Sequence, residues 1–531
     1  MKKTLYLTLC MCLLGAISCK KSFLDRPPLG VQTENNFFAS PDAGFKTVVK
    51  CYQVFNDAYG YEWPRTELGD IATDDAEKGG SDAGDRPFVA DFGWGRTLAN
   101  NVSLENFWAN HYLGIGNCNN ALDNFPKNIL IDAQGYKLSD ATKSRYVAEI
   151  KVLRAFLYFE LVRVFGGVPL VDKTLTVNDG SKLSRATAKD IFTFIIQDLD
   201  AAAAETNLPG KATMPTGEIG RVNKEAVYAL EARVYLYFAK DDATLFAKAR
   251  DAAKKVIDSH SYSLDPEFQT LYLPGSYTSP EPVFSIIHGD NPSLGIYGSF
   301  TPLYTSPRGP TGAYGFDQPT QNLVDEFEPG DPRLLYTVIQ PGDVFPKTSG
   351  TEVLNFSSYP STGYHNRKSY LTQARRGAGW GDDAWTFHVI RYADVLLMYA
   401  EALLQSGGDK QVVADNINLV RYRASNSSRT DAEAVSRVLV IPNTPLADVK
   451  SSDDLVKAIK HERRVEFAME YQRLYDLQRW NSYIETMNIF ATTPKSNGRG
   501  ANFKKGVNEL FPIPQVEIDR SGGSTKQNPG Y

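Results

Sequence analysis

The chain has 531 residues, 42% of them hydrophobic and 22% charged, which excludes a disordered chain and allows several ordinary domains or one large helical unit with insertions. Its formal net charge is −5 and it has no long Lys/Arg run, so nothing in its charge calls for nucleic acid. Aromatic residues reach 12%, a surplus that serves either a core or a sugar-binding surface.

The first 18 residues stand apart. Lys2 and Lys3 precede an apolar run, residues 5–14, that is too short to span a bilayer. Gly15, Ala16, Ile17 and Ser18 then lead into Cys19, a pattern that resembles a bacterial lipobox except that Ala16 stands where Leu is usual. It predicts a signal peptide over 1–18 and lipid attachment at Cys19; the alternative is a plain secretory signal with an incidental cysteine. No later stretch is apolar enough to span a membrane, so lipid is the expected anchor, each buried methylene contributing about 0.8 kcal/mol. Cys10 and Cys12 leave with the signal, and the remaining Cys51 and Cys118 allow one disulfide or two buried thiols. No Cys/His cluster has zinc spacing, no cofactor is expected, and the acidic loops, which could take a metal, show no ligand pattern that assigns one.

Residues 19–40 read as a lipidated tether, because Pro27-Pro28 blocks helix and the segment lacks periodicity. Ser40-Pro41-Asp42 reads as a helix start with proline in the first turn. Helical spacing covers 146–165, ending at Gly166-Gly167-Val168-Pro169, then 188–204, 224–240 and 245–258. A second helical block holds 390–405, 411–423, 453–469 and 471–480, with small residues such as Ala226, Ala393 and Ala400 where helices can approach closely. Between the blocks, residues 261–386 crowd Pro, Gly, Ser, Thr and aromatics together, which predicts loops with short strands, such as one over 283–287. The predicted fold is therefore mainly α: antiparallel helix pairs of tetratricopeptide-like packing over 41–260 and 387–531, and a loop-rich ligand-binding part over 261–386. No clean 34-residue repeat is present.

A long irregular segment inside a folded unit is uncommon unless it carries function. A second aromatic and Gly-rich segment runs over 63–108. There is no GxSxG elbow, HExxH, P-loop or GxGxxG turn, and the six histidines are scattered. Asp74-Asp75 and Asp382-Asp383 are carboxylate pairs, but a glycosidase needs its two carboxylates across a bound sugar, which adjacency does not provide. A binding role is expected rather than an enzyme. Sugar binding needs flat aromatic faces and planar polar side chains. Two loops supply them: Asp74, Asp75, Arg86, Trp94, Asn100 and Asn101 in the first, and Tyr297, Tyr304, Tyr314, Trp380 and Trp385 in the second, with Trp94 foremost. Trp63, Trp108 and Trp480 sit beside helical patterns and are expected in the core.

Residues 391–403, RYADVLLMYAEAL, resemble the helix signature of the SusD/RagB family. So do 153–171, 220–237, 462–480 and the ending LFPIPQVEID…QNPGY, as does Phe23-Leu24-Asp25 after the candidate lipid cysteine. The matches keep the family's order from anchor to last residue. The resemblance implies a nutrient-binding lipoprotein of the outer membrane, facing the exterior. It further implies an oligo- or polysaccharide ligand and, as partner, a TonB-dependent transporter of the SusC type. A surface glycan hydrolase and a structural or adhesion lipoprotein are the alternatives. Within the signature, Val395, Leu396, Met398 and Tyr399 face a core by spacing, and Arg391, Asp394 and Glu401 lie nearer the edges. Arg463, Arg464, Glu466, Arg473, Asp476 and Arg479 read as salt bridges or caps. The tail 527–531 reads as a turn docked against the body. An open loop surface predicts micromolar to millimolar binding, about −8 to −4 kcal/mol.

Overall fold

A computed structural model describes residues 37–176, 183–289, 298–308, 312–347, 349–354, 362–377, 381–436 and 444–531. Cys19, Tyr297 and Trp380 lie outside the described residues, as do the predicted signal peptide and most of the tether.

The architecture is helical, as predicted. The long helices are α1 (Ala43–Tyr52), α2 (Pro87–Trp94), α3 (Val102–Asn124), α4 (Asp140–Phe165), α5 (Ala188–Ala204), α6 (Lys224–Phe238) and α7 (Leu245–Asp258). After the loop-rich part come α8 (Tyr392–Gln405), α9 (Lys410–Asn426), α10 (Leu455–Glu466), α11 (Arg473–Arg479) and α12 (Tyr483–Phe490). Sequential neighbours pack in pairs, α4 on α5, α6 on α7 and α8 on α9, and α7 against α8 joins the two blocks. Helix α1 starts later than the proline suggests. Pro41 instead bridges Ile131, and Asp42 enters the helix from a left-handed conformation at φ 63°.

Helix α4 is the central rod. Residues 152–165 are buried on every side, which a helix tolerates only when other elements surround it. Its polar residues are consequently paired: Arg154 bonds Asp198 of α5 at 2.8 and 2.9 Å, and Glu160 bonds His111 of α3 at 3.1 Å. The tail docks where α4 ends. Asn528 donates to the carbonyls of Phe165 and Phe511, and Arg185 donates to its side-chain oxygen at 2.8 Å. Cys51 and Cys118 are buried free thiols.

The strands are short and paired in twos. β1 (Ala76–Gly79) runs antiparallel to β2 (Phe316–Pro319), with Ala76 opposite Pro319 and Gly79 opposite Phe316. This pairing joins the early loop to the middle region. The segment Pro282–Ile286 pairs with Phe387–Arg391 and leads the chain back into α8.

The charges of the family-like motifs are structural, and one placement is corrected. Arg391, Asp394 and Glu401 do not lie at helix edges; they are 1%, 2% and 6% exposed, because each is paired inside the protein. Arg463 bonds Asp394 at 2.7 Å and Asp476 at 2.9 Å, and Arg479 bonds Glu401 and Asp476. Glu466 accepts from Arg333 at 3.0 Å, from Arg391 at 2.9 Å and from Arg423. Trp63 and Trp108 are core residues as expected, and half-buried Trp480 donates to Glu401.

Candidate ligand-binding surface

The site is organised by one irregular helix. Ala58–Glu62 and Glu67–Ile71 are π-helical turns on either side of an α-helical turn, Trp63–Thr66. Such π-turns recur at functional positions. Glycines let the segment lie close to its neighbours: a Cβ at Gly60 would stand 2.6 Å from Asn110, and one at Gly69 2.5 Å from the backbone of Tyr471.

Two buried carboxylates on this helix hold the loops. Glu62 accepts from the Ser299 hydroxyl at 2.5 Å, from the Phe300 and Thr301 N–H groups at 3.0 and 2.9 Å, and from the Thr301 hydroxyl at 2.7 Å. Glu67 accepts from Arg86 at 2.8 Å and from the Tyr304 hydroxyl at 2.7 Å. Burial and the neighbouring Glu67 charge raise the Tyr304 phenol well above its ordinary range. Burial works against the charge on Arg86, yet Glu67 and Tyr304 outweigh it and the guanidinium is more firmly protonated than usual.

Tyr304 is therefore not a surface ring. Its exposure is zero, since it lies sandwiched between Trp63, at 4.9 Å and 13°, and Phe316, at 4.5 Å and 7°. The rings that reach solvent surround this stack. Tyr59, 50% exposed, stands edge-on to Trp63 at 4.5 Å, and half-buried Tyr314 lies 6.1 Å from Trp63 at 78°. The Arg86 guanidinium is 5.1 Å from the Trp63 ring and 4.9 Å from half-buried Phe88. Arg308, its side chain 38% exposed, donates to the Tyr314 carbonyl at 3.1 Å and lies 3.4 Å from Asp85. The surface thus presents aromatic faces beside guanidinium donors and a carboxylate. It can stack on the C–H face of a sugar and bond its hydroxyls.

Other predicted site residues have other duties. Asp74 and Asp75 are 3% and 1% exposed and cannot meet a ligand, because Arg464 and Arg473 occupy them: Arg464 bonds Asp74 at 2.8 Å and Asp75 at 2.6 Å, and Arg473 bonds Asp74 at 3.0 Å. Burial alone would raise Asp74, but the two arginines hold it far below the carboxylate range; Asp75 is raised by burial, with the Asp74 charge adding to it. Asn101, 3% exposed, caps α3 through the N–H groups of Ser103 and Leu104 and donates to the Phe88 carbonyl. Half-buried Trp94 ends the eight-residue helix that Arg86 begins, about 12 Å away, and carries Arg96 5.1 Å from its ring. Trp385 is buried and donates to the Lys368 carbonyl. Tyr59, Phe88, Glu62 and Glu67 were missed by the sequence reading. The one available signal was the aromatic density of Tyr59, Tyr61 and Trp63 ahead of the first loop.

A cleft of about 960 Å³ lies elsewhere, where α4 and α6 end beside α12. Its aromatic residues Tyr237, Phe238 and Tyr483 are 4%, 7% and 2% exposed, so it offers a ligand no open ring face.

Beneath the surface, buried carboxylates make stability depend on pH. Burial pushes Asp317 up to about 7 and Asp383 up to about 6. Raised acids stabilise the folded state while protonated, and the contribution is lost as pH rises through 6–7. His461, raised to about 9 by Glu326 and Glu328 against the effect of burial, weakens in the same direction above pH 6.5. His365 and His388, lowered by burial to about 4, act oppositely and destabilise between pH 6.5 and 4. Thermal unfolding between pH 6 and 8.5 is expected to show falling stability. Asp317→Asn should flatten that fall by about 1 kcal/mol, nearly all of it below pH 7.5; an unchanged slope would refute the assignment.

Comparison with known proteins agrees with this architecture. The family described as "SusD family" matches residues 280–531, and the one described as "Starch-binding associating with outer membrane" matches residues 90–236. The chain belongs to the SusD/RagB family. A SusD-like protein P2 of Formosa agariphila is 26% identical over 99% of both chains. The starch-binding protein SusD of Bacteroides thetaiotaomicron is 25% identical over 74% of each. Among solved structures, a laminarin binding SusD-like protein is 25% identical, with a TM-score of 0.73 over 92% of this chain and 99% of its own.

Proposed function

We propose that this SusD-family chain is a glycan-binding lipoprotein on the outer face of the outer membrane. It captures an oligosaccharide on the surface around Tyr59, Phe88, Arg86 and Tyr314 and delivers it to a SusC-like TonB-dependent transporter. Residues 1–18 act as the signal peptide, Cys19 carries the lipid, and residues 19–40 form the tether. The observation that carries the reading is a set of solvent-reaching rings held on a rigid underlayer by Glu62 and Glu67, in a fold whose relatives are named for binding starch and laminarin. Catalysis is not part of the reading. The Asp74–Asp75 pair, the first carboxylates a hydrolase assignment would use, is committed to Arg464 and Arg473.

Glycan-array screening with starch and laminarin oligosaccharides, followed by calorimetry on the best ligand, tests it. Tyr59→Ala and Tyr314→Ala should each weaken binding by roughly 1–3 kcal/mol. Against a total near −8 to −4 kcal/mol, that loss removes most detectable binding. Folded variants that both bind as the unaltered chain does would displace the site, and release of shortened sugar by the purified protein would displace the binding role.

A further inference from the structure

The hairpin between α3 and α4 is unusual among the described residues for what it exposes. Its two arms are joined by a bridge between Ile131 and Lys137 and by the Leu138 N–H donating to the Leu130 carbonyl at 2.8 Å. Leu130 is buried against α1, where a Cβ at Gly44 would meet it at 3.2 Å. Ile129 and Tyr136, by contrast, are 71% and 73% exposed, among the most exposed large hydrophobic side chains of the protein. On α1, Phe45 is 36% and Val49 48% exposed. Exposed lysines lie on the same two elements: Lys46 and Lys50 on α1, which donate to the Pro41 carbonyl at 3.2 Å and to Gln53 at 2.9 Å, and Lys127 and Lys137 on the hairpin, whose Asp132 is occupied by the Gln134 and Tyr136 N–H groups. Lys137 has a distant partner in Asp140 at 3.8 Å.

The place of this hairpin in the chain gives it an occupant. Residues 37–42 run alongside it: Phe38 packs edge-on to Phe125 at 6.4 Å, Pro41 bridges Ile131, and the Asp42 N–H donates to the Ile131 carbonyl at 2.8 Å. Phe37 lies 18 positions after Cys19, and the tether proposed for that stretch would span roughly 25 Å on average. With a lipid on Cys19, a tether of that mean span would bring the bilayer to the end of the chain that residues 37–42 lay against the hairpin. An isoleucine and a tyrosine flanked by lysines are the side chains that settle at a headgroup boundary: the rings and branched chains enter it, and the ammonium groups reach back to anionic headgroups.

We propose that the 126–138 hairpin is a membrane-contacting element. Ile129 and Tyr136 enter the interface of the lipid bilayer to which Cys19 is anchored, and Lys46, Lys50, Lys127 and Lys137 meet its anionic headgroups. This rests on the lipid-anchor reading of Cys19. The contact converts a loose tether into a fixed orientation, because a lipid at one point and a hairpin at a second restrict tumbling.

The test uses the full lipidated chain in vesicles of phosphatidylethanolamine and phosphatidylglycerol. A nitroxide is placed at Ile129→Cys, Tyr136→Cys or Tyr422→Cys, the last an equally exposed control at 73% on α9, which packs against α8 and α10. Buried Cys51 and Cys118 do not take the label. Expected at 129 and 136 are several-fold more collisions with lipid-dissolved oxygen, and several-fold fewer with an aqueous nickel complex, than at 422. Labels at 129 and 136 that remain as open to nickel as the one at 422, on vesicle-bound protein, overturn the proposal. So do labels shielded only when a transporter is added to the membrane, since they would put protein rather than lipid there. Sedimentation of Cys19→Ala separates the two readings. If it pellets like the unaltered chain, the anchor reading fails, while the labels still decide the hairpin. If the full chain does not pellet at all, both fail.

Discussion

Replacing Glu466 with alanine is expected to lower the free energy of unfolding by about 3–5 kcal/mol, the range for breaking a buried ion network by removing one partner. Glu466 is fully buried and accepts from Arg333, Arg391 and Arg423, while the Lys368 ammonium donates to its backbone carbonyl at 2.9 Å. The same arginines have further partners: Arg391 bonds Glu281 at 2.5 Å and Glu470 at 2.8 Å, and Arg423 bonds Glu281 at 2.6 Å. The network binds α8, α9 and α10 to the strand that begins after Glu281. Its arginines hold the Glu466 carboxyl below the usual carboxylate range although burial opposes them. A depressed acid gives stability that is present above its unfolded value near 4.5 and lost as pH falls. Denaturant unfolding at pH 7 should therefore separate Glu466→Ala from the unaltered chain clearly, with the gap narrowing toward pH 3. A difference under 1 kcal/mol at pH 7 would show that the remaining carboxylates compensate.

Glu62→Ala is expected to remove ligand binding and also cost stability, on the order of 3 kcal/mol, because four buried or half-buried donors lose a charged acceptor and only the Thr301 N–H keeps another, the Ser299 hydroxyl. The donors belong to Ser299, Phe300 and Thr301, and Tyr304 of the aromatic stack follows directly. Freed of Glu62, the segment loses the register that holds Tyr304 between Trp63 and Phe316. Glu62→Gln, which accepts through one oxygen, should fall between the two. Calorimetric titration alongside thermal unfolding reads both effects. Full binding by a folded Glu62→Ala would show that the loop needs no such clamp.

The helical frame was legible because its signals are local. Apolar spacing over 146–165, the stop at Gly166 and the pairing of 224–240 with 245–258 follow from 3.6-residue periodicity and turn chemistry. The site was only partly legible. Arg86 was identified from its loop and does reach the surface, whereas Tyr304 looked like an exposed aromatic and is an inner layer. A ring in a Pro- and Gly-rich stretch reads as open when nothing local shows what covers it. Trp63 and Phe316 cover it from 241 positions before and 12 after, and sequence spacing cannot report the first contact. Asp74 and Asp75 failed for the same reason: the arginines that occupy them, Arg464 and Arg473, come nearly 400 residues later. Arg391 was placed at a helix edge because a charge on an amphipathic helix usually seeks water, and here tertiary ion pairing overrides that preference.

The clamp between Glu62 and Ser299 also bears on when the site can exist. It joins residues 237 positions apart. Closing so long a loop from an unstructured chain costs about 5 kcal/mol in chain entropy. The helices between, once paired, shorten the effective distance and carry most of that cost beforehand. The expected order of assembly is therefore α3 through α7 first, with the aromatic surface and the pairing of residue 319 with Ala76 closing afterwards. Under stress the order reverses. Amide exchange should find the Glu62 and β1–β2 hydrogen bonds opening at lower free energy than those of α4, so that binding is lost while the scaffold still stands.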